Sequence, residues 1–229
     1  MKLGILQTGR SPEEMLAEHG DYDGKFRELL SGHGFTFETF PVLDNVFPTS
    51  PHDAEGWIIT GSRFGAYEDH DWIPPLEELI REIYAQKVPM AGFCFGHQII
   101  AQALGGMVEK FSGGWALGAT QYAYNETDTP VTINAWHQDQ VIEKPADARV
   151  IAENDFCKYA ALAYGDDIVT WQPHPEFGSD FIEGLLEARR HVVPKEDADN
   201  AERRLNLEIS NNLIANHIAE FFNERQKAV

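Results

Sequence analysis

Residues 88–106 read V-P-M-A-G-F-C-F-G-H-Q-I-I-A-Q-A-L-G-G. Residues 88–93 are short and apolar after a turn-forming Pro89, which suits a buried strand. From His97 onward, Ile99, Ile100, Ala103 and Leu104 fall on one helical face. Gly105 and Gly106 then stop the helix, because glycine takes the left-handed position after a helix end without a Cβ clash. Between strand and helix lies Gly92-Phe93-Cys94-Phe95-Gly96. This G-x-C-x-G has the build of a G-x-S-x-G nucleophile elbow, in which a sharp strand-to-helix turn exposes the central side chain at the carboxyl end of a sheet. Two glycines allow a turn too tight for side chains on either flank. A helix N-terminus at that point favours an anionic sulfur through its dipole and free N–H groups. The plain alternative for Cys94 is a small buried hydrophobe, the usual fate of a lone cysteine. Its place between two glycines at a strand-to-helix switch favours the nucleophile.

Working outward towards the N-terminus, residues 2–8 read as a first buried strand ended by Gly9. Residues 13–19 read as a loop or short helix, 23–31 as a helix carrying Phe26, Leu29 and Leu30, and 35–40 as a second strand. Residues 41–54, rich in Pro, Asp and Asn, read as loop. A third strand, 57–60, runs directly into Gly61-Ser62, a second glycine turn at a strand end, where α/β sheets keep their ligands. Residues 67–72, Y-E-D-H-D-W, are acidic. Four adjacent residues rarely converge on one metal ion, and no spaced His or Cys pair accompanies them, so a solvated helix start is expected. The helix itself is expected over 74–86, with Leu76, Leu79, Ile80 and Ile83 inward.

Beyond Gly106 the pattern changes. Residues 107–111, 118–125 and 129–134 read as short strands of an antiparallel extension of the sheet, interrupted by a loop at Trp136-His137-Gln138-Asp139. Further strands are expected at 148–153, 156–164 and 168–171, and helices at 181–188 and 205–222, joined by a charged connection over 194–204. These elements imply an α/β three-layer sandwich with a mixed, mainly parallel central sheet. One domain is expected over 1–229, with a helical C-terminal extension from about 178.

Bulk composition narrows the function. The chain has 229 residues, 43% of them hydrophobic, enough for one α/β domain with a substantial core. With 18 Lys and Arg against 37 Asp and Glu, its net charge is −19. Such a surface repels phosphate backbones and anionic lipid, so neither nucleic acid nor membrane is an expected partner. Two cysteines, Cys94 and Cys157, make no disulfide framework. No signal-like or membrane-length apolar run is present. A cytoplasmic setting is therefore expected, with no metal or organic cofactor indicated. Cys157, near Phe156 and Tyr159, is expected to be a packed core residue.

A thiol nucleophile needs a base to take and return a proton, and a group to orient that base. Residues 172–176, Q-P-H-P-E, supply both. Each proline biases the residue before it towards extended geometry, and residues two apart on an extended chain face the same side. Glu176 can then reach one imidazole nitrogen of His174 while the other faces the thiol.

G-F-C-F-G-H-Q at 92–98 together with Q-P-H-P-E at 172–176 resembles the class I glutamine amidotransferases, including the amidotransferase domain of GMP synthase and stand-alone γ-glutamyl peptidases. The resemblance implies their flavodoxin-like fold. It implies a Cys94–His174–Glu176 triad that opens a glutamine side-chain amide through a γ-glutamyl thioester. It implies an oxyanion hole from the N–H of Phe95 and that of Ser62, substrate contact by Gln98 (otherwise a helix-surface amide), and a glutamine pocket lined by His137 (otherwise a loop histidine). The glycine loop lacks the proline common in biosynthetic subunits, and the chain runs on well past Glu176 without a synthase domain. Stand-alone hydrolysis of glutamine or a γ-glutamyl compound is the leading expectation. An ammonia-donating subunit of a separate synthetase is the alternative. Intracellular-peptidase relatives place His directly after the nucleophile, where Phe95 stands here, and α/β-hydrolases place the acid before the His, so both fit less well.

Overall fold

The computed structural model describes residues 1–227. The first half contains β1 (Lys2–Leu6), α1 (Leu16–His19), α2 (Tyr22–Leu29), β2 (Thr36–Phe40), β3 (Gly56–Ile59), α3 (Ile73–Ala85), β4 (Met90–Phe93) and α4 (Phe95–Ala103). The second contains β5 (Met107–Lys110), β6 (Ala116–Tyr124), β7 (Val131–His137), β8 (Asp139–Glu143), β9 (Ala148–Glu153), β10 (Ala161–Tyr164), β11 (Ile168–Trp171), α5 (Ser179–Arg189), α6 (Lys195–Arg203) and α7 (Asn211–Lys227).

The main sheet has the order β2-β1-β3-β4-β11-β10-β9-β6-β7. From β2 to β11 the strands are parallel; from β11 to β7 each pair is antiparallel. Alternating side chains feed opposite faces. Trp57 and Ile59 of β3 join Leu76, Ile80 and Ile83 of α3 and Ile99 and Ile100 of α4 in one core. Ile58 joins Phe26 of α2 and Ile214, Ile218 and Phe222 of α7 in the other. Burial on both faces explains why β4 reads M-A-G-F with no polar residue. Since β4 is flanked by β3 and β11, both parallel to it, the segments leaving all three strands emerge side by side at one edge. Those segments are the glycine loop, the elbow and Q-P-H-P-E.

The elbow's glycines face each other. A Cβ on Gly92 would stand 2.7 Å from the Gly96 carbonyl carbon, and one on Gly96 would stand 2.3 Å from the Ile59 carbonyl oxygen. Helix α4 thus rests on the backbone of β3. Helix α3 begins at Ile73 with prolines in its first turn, where a missing N–H costs no hydrogen bond.

Several expectations need correction. Residues 107–111 do not extend the main sheet; β5 pairs with β8 in a separate two-stranded ribbon, and β8 was not expected. Trp136 and His137 are not in a loop but end β7. The strand expected over 156–164 begins only at Ala161, because Asn154 Oδ1 accepts the N–H groups of Phe156 (3.0 Å) and Cys157 (2.7 Å) and turns the chain. Cys157 is nonetheless in the core, and burial pushes its thiol up to about 12. The connection expected over 194–204 is largely helix α6, whose Ala198 and Ala201 are buried, and α7 starts only at Asn211. Residues 67–72 are not the start of α3, whose first turn has no acidic residue. They form a separate turn in which Glu68 accepts from Gly65 N–H (3.0 Å) and contacts His70 Nε2 (2.8 Å). Among the described residues no three potential ligands converge on a metal site, and no helix is long and apolar enough to cross a membrane.

Gly96→Ala forces a methyl group into the β3 backbone. The expected loss, by urea unfolding, is about 3 kcal/mol, the upper end of overpacking costs. A variant within about 0.5 kcal/mol of the parent, as at an ordinary surface site, would contradict this packing.

Candidate active site

Cys94 sits between β4 and α4 with φ 49° and ψ −103°. Positive φ at a residue with a Cβ costs of order 1–3 kcal/mol and persists only where the surroundings over-determine it. Three neighbours do so here. Cys94 N–H donates to Trp171 O of β11 (2.8 Å), Cys94 O accepts from Gln98 N–H of α4 (3.0 Å), and Gly96 N–H donates to Thr60 O past β3 (3.2 Å). The side chain is thereby turned into a cleft of ≈ 1060 Å³ that also contains Ser62, Gln98, His137 and His174.

His174 follows β11 and is tied to the middle of β7, its N–H donating to Asn134 O (2.8 Å). Its Nδ1 lies 2.7 Å from Glu176 Oε1, and both side chains are buried. With Nδ1 occupied, Nε2 is the nitrogen left for Cys94. The two-residue spacing expected from the prolines therefore places the carboxylate on the imidazole. Burial opposes charge on His174, but the Glu176 carboxylate and Cys94 outweigh it and hold the imidazole above the ordinary histidine range. The ring stacks on Phe177 (4.2 Å between centroids, 7° between planes). Phe177 is held in turn by its carbonyl, which accepts from Asn134 Nδ2 and Asn211 Nδ2, both at 2.9 Å. Helix α7 thus reaches the ring stacked on His174 through Asn211.

The glycine loop closes the other side. A Cβ on Gly61 would stand 3.1 Å from His174 Cε1 and 3.7 Å from Cys94 Cβ, so a side chain there would press on the imidazole. Phe95 is the first residue of α4, where an N–H has no acceptor within the helix. Its ring packs on Trp72 (5.4 Å). Gln98 is 2% exposed and is not a surface amide. Its Nε2 donates to Asp139 O (2.9 Å) and to Gln172 Oε1 (3.1 Å). His137 is buried at the cleft wall; burial first, and His174 second, lower its pKa to about 3, so it is neutral.

Every residue singled out from sequence, Cys94, His174, Glu176, Ser62, Phe95, Gln98 and His137, therefore lies in or directly behind this cleft. Others went unrecognised. Tyr22, at the start of α2, lines the cleft, and burial followed by the nearby Cys94 and Glu176 raises the pKa of its hydroxyl. Asp139 lies at the rim and accepts from Tyr67 Oη (3.1 Å). Thr8 and Thr60 lie beneath the glycine loop. For Tyr22 and Asn134 no local pattern was available. For the threonines one was: β1 and β3 are each followed by Thr-Gly, at 8–9 and 60–61.

A family model of glutamine amidotransferase class-I matches residues 36–182. Gamma-glutamyl peptidase 4 of Arabidopsis thaliana is 30% identical over 183 residues, covering 74% of this chain and 73% of that protein. A subunit of the glutamine-hydrolyzing GMP synthase of Halobacterium salinarum is 31% identical over 147 residues, covering 60% of this chain and 75% of that one. Among solved structures, a glutamine amido transferase from Methylobacillus flagellatus superposes with a TM-score of 0.76 at 21% identity, covering 98% of this chain and 92% of that one. That likeness bears on the fold; the family model bears on ancestry, since its match spans the second strand, the elbow, Q-P-H-P-E and the first turn of α5. The chain belongs to the class-I glutamine amidotransferase family.

Proposed function

We propose that the chain hydrolyses the γ-amide of glutamine or of a γ-glutamyl compound. The observation that carries this reading is Cys94 held at positive φ in the elbow, set beside a buried His174–Glu176 pair. The Cys94 thiolate attacks the γ-carbonyl carbon, and the carbonyl electrons move onto oxygen. The N–H groups of Phe95 and Ser62 receive that oxyanion. His174 gives its proton to the leaving nitrogen, the C–N bond breaks, and a γ-glutamyl thioester remains. Water then attacks the thioester while His174 takes its proton, releasing glutamate and the thiol. Glu176 orients the imidazole and stabilises its charged form. Gln98 and neutral His137 line the acyl side and offer hydrogen bonds rather than charge.

Two observations favour a stand-alone hydrolase. The matched gamma-glutamyl peptidase aligns over about three quarters of both chains. The cleft is also far roomier than glutamine alone needs. A second reading, an ammonia-donating subunit of a separate synthetase, is favoured by the match to the glutamine-hydrolyzing GMP synthase. The two are separated by assaying the purified chain alone for glutamate release from L-glutamine and from γ-glutamyl anilides. Release without a partner supports the hydrolase. Release only when an ATP-using partner is added supports the second reading.

Replacing Cys94 by Ala is expected to lower kcat by at least about 1000-fold, as loss of a nucleophile does in triad enzymes. Unchanged hydrolysis would refute the mechanism. A separate expectation concerns pH. His174 acts as the proton donor in acylation, and the adjacent carboxylate raises its pKa. The alkaline limb of kcat/KM should therefore lie well above the ordinary histidine value of about 6.5. Removing the negative charge in Glu176→Gln removes the larger of the two causes, so the limb should move to lower pH while kcat falls. An alkaline limb that stays in place in Glu176→Gln would show that the carboxylate does not set it.

A further inference from the structure

We propose that Thr8 and Thr60 aim the second oxyanion donor: their hydroxyls hold the Gly61 carbonyl inward, so the Ser62 N–H faces the carbon attacked by Cys94. This rests on the nucleophilic role given to Cys94 above.

Strands β1 and β3 are parallel neighbours, with Leu6 opposite Ile59. The residues just beyond them, Thr8 and Thr60, therefore meet at the carboxyl edge of the sheet, and both are 0% exposed. Thr8 N–H donates to Thr60 Oγ1 (3.0 Å). The Thr60 hydroxyl donates to Gly61 O (3.1 Å). The Thr8 hydroxyl has one proton and two carbonyls in reach, Thr60 O at 2.9 Å and Gly61 O at 3.1 Å. The Gly61 carbonyl thus points down into buried hydroxyls.

A trans peptide places its N–H opposite its C=O. No peptide bond among the described residues is cis, so the Ser62 N–H points away from the threonines. The same turn lies against the proposed nucleophile: a Cβ on Gly61 would stand 3.1 Å from His174 Cε1 and 3.7 Å from Cys94 Cβ. The Ser62 N–H has no acceptor among the described residues. Gly9 leaves the room for this arrangement; a Cβ there would stand 2.7 Å from Gly61 O and 2.8 Å from Ser62 Cα.

Thr60 also fixes the distance between the two donors. Its carbonyl accepts from Gly96 N–H (3.2 Å), one residue past Phe95, while its side chain holds the Gly61–Ser62 peptide. The elbow N–H and the loop N–H are set by one residue. Donors fixed in this way need no reorganisation as charge develops on the oxygen, which is where such sites gain most of their effect. The pairing of β1 with β3 does not depend on the hydroxyls, so their work is local to the loop.

The test compares Thr8→Val, Thr60→Val and Thr60→Ser with the parent in γ-glutamyl hydrolysis and in alkylation of Cys94 by iodoacetamide. Valine matches the shape of threonine without the hydroxyl. Both valine variants should lose about 10- to 100-fold in kcat, short of the loss of about 100- to 1000-fold from a deleted donor, with KM changed little. Thr60→Ser should retain the parental rate. Alkylation should proceed at the parental rate in all three, because displacement of iodide forms no oxyanion. Thr8→Val carries the test if Thr60→Val does not fold. Parental kcat in the valine variants would overturn the proposal. So would a loss of kcat matched by an equal loss of alkylation, which would mean that the thiol–imidazole pair itself had moved. A parent chain without hydrolysis, or with hydrolysis that survives Cys94→Ala, would remove the nucleophilic reading and this inference with it.

Discussion

One contact governs the site: helix α4 lies so close to β3 that no atom fits between Gly96 and the Ile59 carbonyl. That approach compresses the strand-to-helix turn and forces Cys94 to positive φ. The strained backbone is then shared among β3, β11 and α4 through three hydrogen bonds, so it cannot relax without breaking sheet contacts. The sheet order converts this local strain into a site. Because β4 has a parallel neighbour on each side, the glycine loop and Q-P-H-P-E arrive at the thiol from opposite flanks.

The electrostatics of the cleft differ from those of the surface. The chain as a whole carries −19, which bears on solubility and repulsion of polyanions. Inside, the Glu176 carboxylate and Cys94 hold His174 above the ordinary histidine range against its burial, and little solvent screens the buried His174–Glu176 pair. Burial likewise pushes the thiol of Cys157, deep in the core, up to about 12. Helices beyond Glu176 contribute through Asn211, which shares the Phe177 carbonyl with Asn134 and so steadies the ring beneath His174. That long C-terminal segment is thus part of the support of the cleft.

Much of this was legible in residue order because the decisive constraints are local. Glycines two residues either side of Cys94, and prolines on both sides of His174, restrict the backbone whatever surrounds them. The parallel strands were legible as unbroken apolar runs. Other features were hidden by signals that act over distance. Trp136 and His137 look like loop residues because they are bulky and polar, yet they end a strand whose last side chains face the cleft. Helix α6 is so charged that its two buried alanines escape notice. A side-chain turn at Asn154 shortens a strand that otherwise alternates well. Tyr22 and the threonine pair matter through partners far away in the chain, which no local window reports.

The most direct test of the central claim is to trap the acyl-enzyme. The chain would be mixed with a γ-glutamyl anilide, quenched in acid during turnover, digested and weighed by mass spectrometry. The account requires one γ-glutamyl group on the peptide that contains Cys94, absent when the quench precedes substrate and transient as substrate is consumed. Turnover with no adduct on Cys94 in Glu176→Gln or the parent, or an adduct on another residue, would contradict it.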